Sequence, residues 1–417
     1  MFRAMRRHGR ARSTSRLRFC FWLWLSASPL VVACAQDPNG SYGVVGTGGV
    51  GGAGGAGGSP EPDGPIEPVG PPMVGLHVVG NHIQNRDGTS VSLRGVNRSG
   101  SEYQCAKAAG FFEGPVTAAS VRAMVAWKIT SVRIPLNEAC WLGINGVSEQ
   151  FGGDNYRQAI LAYVALLHQA HIVPLLDLHW VGPGTSAADR LQPMPDADHA
   201  TVFWADVANT FAADDGVVFE MFNEPFPDRN RDSDAGWLCW RDGCVANQSV
   251  PVGKPPLTYQ AVGMQGLVNA VRATGSKHLL LLGGLQYSNA LSQWMQYMPS
   301  DPAANIGAAW HVYNFNACAN AGCWNTAPAA LALALPVVVT ELGENDCGGT
   351  FVDSLLQWGD SHGVGYLAWT WNTWGQCKPP TPPATQGGQP WALIGDYLTA
   401  EPVSGYAQAY RDHLLAF

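Results

Sequence analysis

Val217-Val218-Phe219-Glu220-Met221-Phe222-Asn223-Glu224-Pro225 opens on a short apolar run and closes on a glutamate. Such a run suits a strand buried on both faces, the form that strands take in a parallel sheet. Pro336-Val337-Val338-Val339-Thr340-Glu341-Leu342-Gly343 repeats the form further on. Each glutamate falls where its strand should end. In a barrel of parallel strands, those ends make the face that carries the chemistry.

Outward from these two runs the same pattern recurs. Strands are expected near 93–97, 130–135, 173–179, 217–223, 278–283, 307–311, 337–341 and 365–371. Helical stretches fall between and after them, near 117–127, 154–169, 199–213, 257–273, 289–297, 327–335, 351–361 and 406–415. A hairpin is expected ahead of the first strand, from 76–79 and 91–96 with a turn at Asn85-Arg86-Asp87-Gly88. Eight strands alternating with helices predict an α/β chain folded as a single (β/α)8 TIM barrel over residues 76–417, with long disulfide-bearing loops. No G-x-G-x-x-G opens a helix after the first strand, which removes the main support for a dinucleotide-binding sheet.

The N-terminal part reads differently. Residues 1–18 are basic, and 19–33 form an apolar run too short to predict a membrane span, so 1–35 are expected to be a secretory signal. Val31-Val32-Ala33-Cys34 resembles a bacterial lipobox, which would make Cys34 the lipidated first residue of the mature chain. Plain cleavage after Ala33 or Ala35 is the alternative. Residues 36–75 are Gly-rich and then Pro-rich, a composition suited to a tether that buries no core. A secreted or cell-surface lipoprotein of a bacterial envelope is the expectation.

Charge narrows the partners. Seven arginines precede Phe19, so loss of the signal leaves 17 basic residues against 32 acidic ones. So acidic a body would repel nucleic acid, and a neutral polymer is the better partner. The chain carries 16 Trp, more than a core alone needs, and sugar rings are one candidate for the spare flat faces. Beyond Cys20 and Cys34 there are eight cysteines, an even number in a chain read as exported. Proximity suggests the pairs Cys105–Cys140, Cys239–Cys244, Cys318–Cys323 and Cys347–Cys377. Zinc is the alternative for the two five-apart pairs, and their spacing and an oxidising compartment argue against it.

Polar residues collect at the expected strand ends: Arg133 on the second, His179 on the third, Asn223 beside Glu224, His311 and Tyr313 on the sixth, and Trp369 and Trp371 on the eighth. Strand alternation would put those two tryptophans on one face. In this order, together with Arg94-Gly95-Val96-Asn97 and Asn223-Glu224-Pro225, the residues resemble glycoside hydrolase family 5, which includes cellulases and mannanases. The resemblance runs from about residue 76 to the end. It implies a retaining (β/α)8 enzyme without cofactor or metal; a monomer is expected, with the lipid at Cys34 as its one contact with a membrane.

Position by position, the resemblance makes Glu224 the acid/base and Glu341 the nucleophile. Retention needs carboxyls about 5–5.5 Å apart, which opposite ends of a barrel mouth can supply. Arg133 and Tyr313 would hold Glu341 ionised, and the charge of Glu341 would keep Glu224 protonated. Asn223 would hold the sugar 2-hydroxyl, His179 and His311 would orient substrate, and Trp369, which the family often follows with a cis peptide, would floor the site. Trp371 is its rival for that place; Trp141, Trp180 and Trp374 are candidates for further subsites. Glu220 is a rival acid set deeper in the barrel, while Glu138, Glu344, Asp177 and Asp346 could tune the pair. Asn97-Arg98-Ser99-Gly100-Ser101-Glu102-Tyr103 and Pro193-Met194-Pro195-Asp196 look closest to cellulase-like members, so endo-cleavage of β-1,4-glucan is expected. β-Mannanase, xyloglucanase and exo-acting β-glucosidase are the alternatives within the family, and a non-catalytic surface glycan-binding lipoprotein is the alternative outside it. Insertions at 227–254 and 314–324 would border the cleft.

Overall fold

The computed structural model describes residues 64–248, 257–377 and 389–417, all within the unit Ser59–Phe417. The expected signal, Cys34 and most of the tether lie outside them. Eight parallel strands close a barrel: β1 (Arg94–Asn97), β2 (Ser131–Asn137), β3 (Val173–Trp180), β4 (Val218–Glu220), β5 (Leu280–Gly283), β6 (Ile306–Tyr313), β7 (Val337–Gly343) and β8 (Gly365–Ala368). Each pairs with its neighbours in sequence, and β8 pairs with β1 through Tyr366↔Arg94 and Ala368↔Val96. The expected TIM barrel is the observed fold. Among its helices are α1 (Ala118–Ala126), α2 (Asp154–Gln169), α3 (Ala200–Thr210), α4 (Met264–Ala273), α5 (Trp294–Tyr297), α6 (Ala327–Ala332), α7 (Thr350–His362) and α8 (Gly405–Leu415).

Two apolar layers hold it. Outward-facing strand residues such as Val132, Ile134, Leu176, Phe219, Leu282 and Val339 pack with the helices. Inward-facing Leu93, Val173, Leu175, Val218, Leu281, Ala309, Val338 and Leu367 fill the lower barrel, which Leu76 and Ile83 close from beneath. The lower interior is therefore a packed plug, and only its upper end is left for polar side chains.

Four details depart from the sequence expectations. The hairpin is a three-stranded antiparallel sheet, in which His77–Val79 pairs with His82–Gln84 and that strand with Ser90–Val91. Gly80, at φ 61°, makes the tight first turn that brings those strands together. The expected helix over 257–273 is helical only in α4, because Leu257–Ala261 alternates buried and exposed side chains and pairs with Cys244–Gln248 as a ribbon. Over 289–297 only α5 is helical, after a turn at Leu285–Ser288. Part of the stretch read as tether is packed, since Ile66 and Val69 meet the core and the Val69 amide donates to Ala170 O.

The four disulfides join Cys105–Cys140, Cys239–Cys244, Cys318–Cys323 and Cys347–Cys377, the pairs that proximity suggests. Among the described residues no helix is long and apolar enough to cross a membrane.

Candidate active site

Period-two alternation delivers the polar residues. On each strand the face that is apolar low in the barrel turns polar toward the upper end: Leu175 gives way to Asp177 and His179, Val218 to Glu220, Ala309 to His311 and Tyr313, and Leu367 to Trp369. β7 needs more than alternation. Thr340 shares the parity of inward Val338 and meets Glu220, so its neighbour Glu341 should point outward. Its pairing with β8 shifts register between Val339 and Leu342, and its pairing with β6 shifts at Trp310/His311. These irregularities bring Glu341 round to the inside, a use of bulges common beside active sites.

Arg133 is fully buried at the centre. Its Nε donates to Glu220 (2.6 Å), one terminal nitrogen to Asn97 (2.9 Å) and Glu341 (2.6 Å), and the other to Asn223 (2.8 Å), with Asp177 at 2.9 Å. Tyr313 donates from its hydroxyl to the second oxygen of Glu341 at 2.7 Å. Nδ1 of His311 lies 3.0 Å from Glu224 Oε1 and 3.5 Å from Glu341 Oε2, bridging the two carboxylates. One oxygen of each carboxylate and a ring nitrogen of His311 all lie within 4.8 Å of one another. Glu341 is buried, and the Glu224 side chain keeps 15% of its surface exposed, so the pair is reached from the barrel mouth.

Burial raises every carboxyl here, and the neighbours then separate them. For Glu341 the charges of His311 and Arg133 overcome burial and hold it below the ordinary glutamate value. For Glu224 burial prevails over the hydrogen bond with His311, the charge of Glu341 adds to it, and the group is held above that value. Burial would lower His311, but Glu341 and its contacts with Glu220 and Glu224 push it up to about 10. Arg133 overcomes burial at Glu220 and keeps it low. One carboxyl of the pair is thus set to carry charge and the other to hold a proton.

The structure brings Arg133, His179, Asn223, Glu224, His311, Tyr313, Glu341 and Trp369 to one place. The His179 ring stacks on Trp369 at 5.6 Å and 9°, and its Nδ1 meets Asp177 at 2.6 Å. The peptide bond from Trp369 to Thr370 is cis. Trp371 is not part of the group. β8 ends at Ala368, so alternation does not extend to 371; Trp371 is fully buried in the outer layer, edge-on to Trp127 at 4.9 Å. Trp141 is likewise packed, its indole N–H donating to Asp206 at 2.7 Å. Trp180 lies 6.3 Å from Tyr103, and Trp374 donates to Glu113, which also takes the hydroxyl of Tyr103. Glu220 sits deep, held by Arg133 and Thr340, and Glu344 accepts the amide of Val352 at the start of α7.

Several neighbours were not singled out from sequence. Half-exposed Phe315 stacks on Tyr313 at 5.3 Å and meets Trp391 edge-on. Tyr287, whose hydroxyl pKa is raised by burial and by the charge of Glu224, packs against Phe226 with the rings tilted, 4.7 Å between centroids. A signal existed for Tyr287, which follows the end of β5 by four residues as Glu224 follows the end of β4. Trp391 comes from the far side of residues 378–388, and no local pattern links it to β6.

A family model described as cellulase (glycosyl hydrolase family 5) matches residues 85–375. A mannan endo-1,4-beta-mannosidase from Streptomyces lividans is 24% identical over 318 residues, covering 72% of this chain. The chain spans 66% of that curated relative's length. Among solved structures, a β-glucanase from Saccharophagus degradans in complex with cellotetraose aligns with a TM-score of 0.59 at 17% identity, over 85% of this chain and 97% of that one. A β-mannanase from Thermomonospora fusca aligns at 0.55 and 16%, over 79% and 93%. These last two likenesses describe the fold.

Proposed function

The chain belongs to the cellulase family, glycosyl hydrolase family 5, and is a glycoside hydrolase; from that premise we propose that it cleaves β-1,4-linked polysaccharide with retention, Glu341 acting as nucleophile and Glu224 as acid/base. The observation that carries this reading is the pair of carboxylates within 4.8 Å, bridged by His311 and shifted in opposite directions. Their closeness suits direct attack, whereas inversion needs about 6.5–9.5 Å to admit a water between carboxyl and sugar. Glu341 attacks the anomeric carbon while Glu224 passes its proton to the leaving oxygen. The bond between sugar and Glu341 removes a negative charge from beside Glu224, whose pKa falls. Glu224 then takes a proton from water, which displaces Glu341 and restores both groups. Asn223, oriented by Arg133, would hold the 2-hydroxyl, and Trp369 would stack beneath the ring before the cleaved bond.

β-1,4-Glucan is the proposed backbone, supported by the resemblance of 97–103 and 193–196 to cellulase-like sequences. β-1,4-Mannan is the second reading, favoured by the Streptomyces relative. Reducing-sugar release from carboxymethylcellulose, mannan, xyloglucan and aryl glucosides separates them, and the anomer released, read by NMR, tests retention. Glu341→Gln should cut turnover by several orders of magnitude and Glu224→Gln by about 10²–10⁴, with glycan binding kept. Near-wild-type activity in either variant would remove the assignment; binding without turnover in the wild type would make the chain a glycan-binding protein.

Export is proposed as well, supported by four disulfides, which persist in oxidising compartments. Acylation at Cys34 is tested by fractionation: Cys34→Ala should move the protein from membrane to soluble fraction.

A further inference from the structure

Glu138, Asp196 and His199 form a second group of close ligating side chains, apart from the paired glutamates. Glu138 opens the short helix Glu138–Leu142 directly after β2, Asp196 lies in the loop from β3 to α3, and His199 stands immediately before α3. One ligand atom from each lies within 4.8 Å of the other two. Glu138 and Asp196 are fully buried. Each spends one oxygen on backbone: Glu138 Oε2 accepts the Gly182 amide, and Asp196 Oδ1 accepts those of Asp198 and His199. Of the remaining atoms, Glu138 Oε1 and Asp196 Oδ2 accept from no other residue, the two carboxyls having only each other, and His199 Nδ1 has no hydrogen-bond partner.

The cluster differs from the one around Arg133. There an arginine neutralises the buried carboxylates; here, among the described residues, the side chain paired with both acids is the imidazole of His199, its Nδ1 at 3.5 Å from Asp196 and 3.8 Å from Glu138. Two carboxylates buried together lose hydration and repel each other, so groups of this kind are paired, share a proton or coordinate a metal.

We propose that Glu138, Asp196 and His199 bind a divalent transition cation, with Zn²⁺ the best fit. Two carboxylates and one imidazole match the borderline donors that zinc takes, with water free to complete four-coordination. Calcium would need 6–8 oxygen ligands and seldom an imidazole, and magnesium keeps an octahedral shell mostly of water. One ligand atom from each of the three residues within 4.8 Å of the others is a spacing that small side-chain rotations bring onto one ion. The ion would be structural. It would tie the end of β2 to the loop 181–199, which follows His179 and Trp180 and holds the ribbon through Ala197 N–H to Gln260 O and Val262 N–H to Pro195 O.

The full chain, dialysed against EDTA and then against ZnCl2, MnCl2 or CaCl2, is read by elemental analysis and by Tm. About one zinc per chain should be retained, with Tm several degrees above the EDTA-treated protein and little response to calcium. His199→Gln, at a part-exposed position that should still fold, ought to weaken zinc binding by at least about tenfold and abolish the Tm response, as should Asp196→Asn. Glu224→Gln should leave both unchanged, which separates this group from the one at Glu224, His311 and Glu341. Zinc at trace level with Tm indifferent to EDTA, or equal retention in His199→Gln and Asp196→Asn, would overturn the proposal and leave the two carboxyls sharing a proton.

Discussion

Arg133 donates to Asn97, Glu220, Asn223 and Glu341, and so joins β1, β4, the loop beyond β4 and β7 from a single position on β2. Buried ion pairs add little net stability, but stripping the cation from such a group leaves carboxylates uncompensated. Arg133→Met should therefore destabilise the fold by about 3–5 kcal/mol, measured by denaturant unfolding at neutral pH. The penalty should shrink as pH falls and Glu220 takes a proton: its folded value is depressed, so the stability it contributes is present above the ordinary value of 4.5 and lost below it. The proposed catalytic pair gives a second prediction. kcat/KM should follow a bell with its acid limb below 4.5, where Glu341 protonates, and its alkaline limb above 4.5, where Glu224 ionises. His311→Ala removes a cation that lowers Glu341 and a hydrogen bond that lowers Glu224. Both values rise, so both limbs should move to higher pH; a profile that stays in place would mean that His311 does not tune the pair.

At the scale of elements, β7 and β8 show where alternation stops being a guide. Buried runs mark β7 in the sequence, yet side-chain parity would turn Glu341 away from the barrel, and only the irregular pairing with β6 and β8 brings it inside. On β8 the error runs the other way. Trp369 and Trp371 share parity, but the strand ends at Ala368 and the chain turns to pair with β1, the Trp371 amide donating to Asn97 O and the Thr370 amide to Trp391 O. The two tryptophans should separate in experiment. Trp369→Ala should raise KM or lower kcat at nearly unchanged Tm. Trp371→Ala should cost about 3–5 kcal/mol of stability, as deletion of a buried Trp does, with a smaller effect on KM measured well below Tm.

For the whole molecule, loops on the face of the proposed active site are fastened covalently as well as by packing. Cys105–Cys140 and Cys347–Cys377 close spans of 35 and 30 residues, and Cys239–Cys244 and Cys318–Cys323 spans of 5. On loop-closure entropy, removing either long bridge should cost about 3–4 kcal/mol and either short one about 2 kcal/mol. Paired Cys→Ser variants, unfolded without reductant, check the ranking; equal losses from long and short bridges would show that native contacts outweigh the chain-entropy effect.

The eight strands, their order and the glutamates at two of their ends were legible in the sequence because a strand covered on both faces must be written as an unbroken apolar run, and a polar residue ending such a run marks where cover stops. Two cysteine pairs were legible because their members are five residues apart, and two because each cysteine's nearest remaining partner along the chain lies in a neighbouring loop of the same barrel face. Tertiary structure alone decided the rest: the turn of Glu341 through a register shift, the removal of Trp371 to the outer layer, the ribbon in place of half a helix, the approach of Trp391 to Tyr313, and the meeting of Glu138 with Asp196 and His199. Each depends on which segments touch across the barrel, and periodicity along a chain records which way a residue faces within its own element, not what another element brings to meet it.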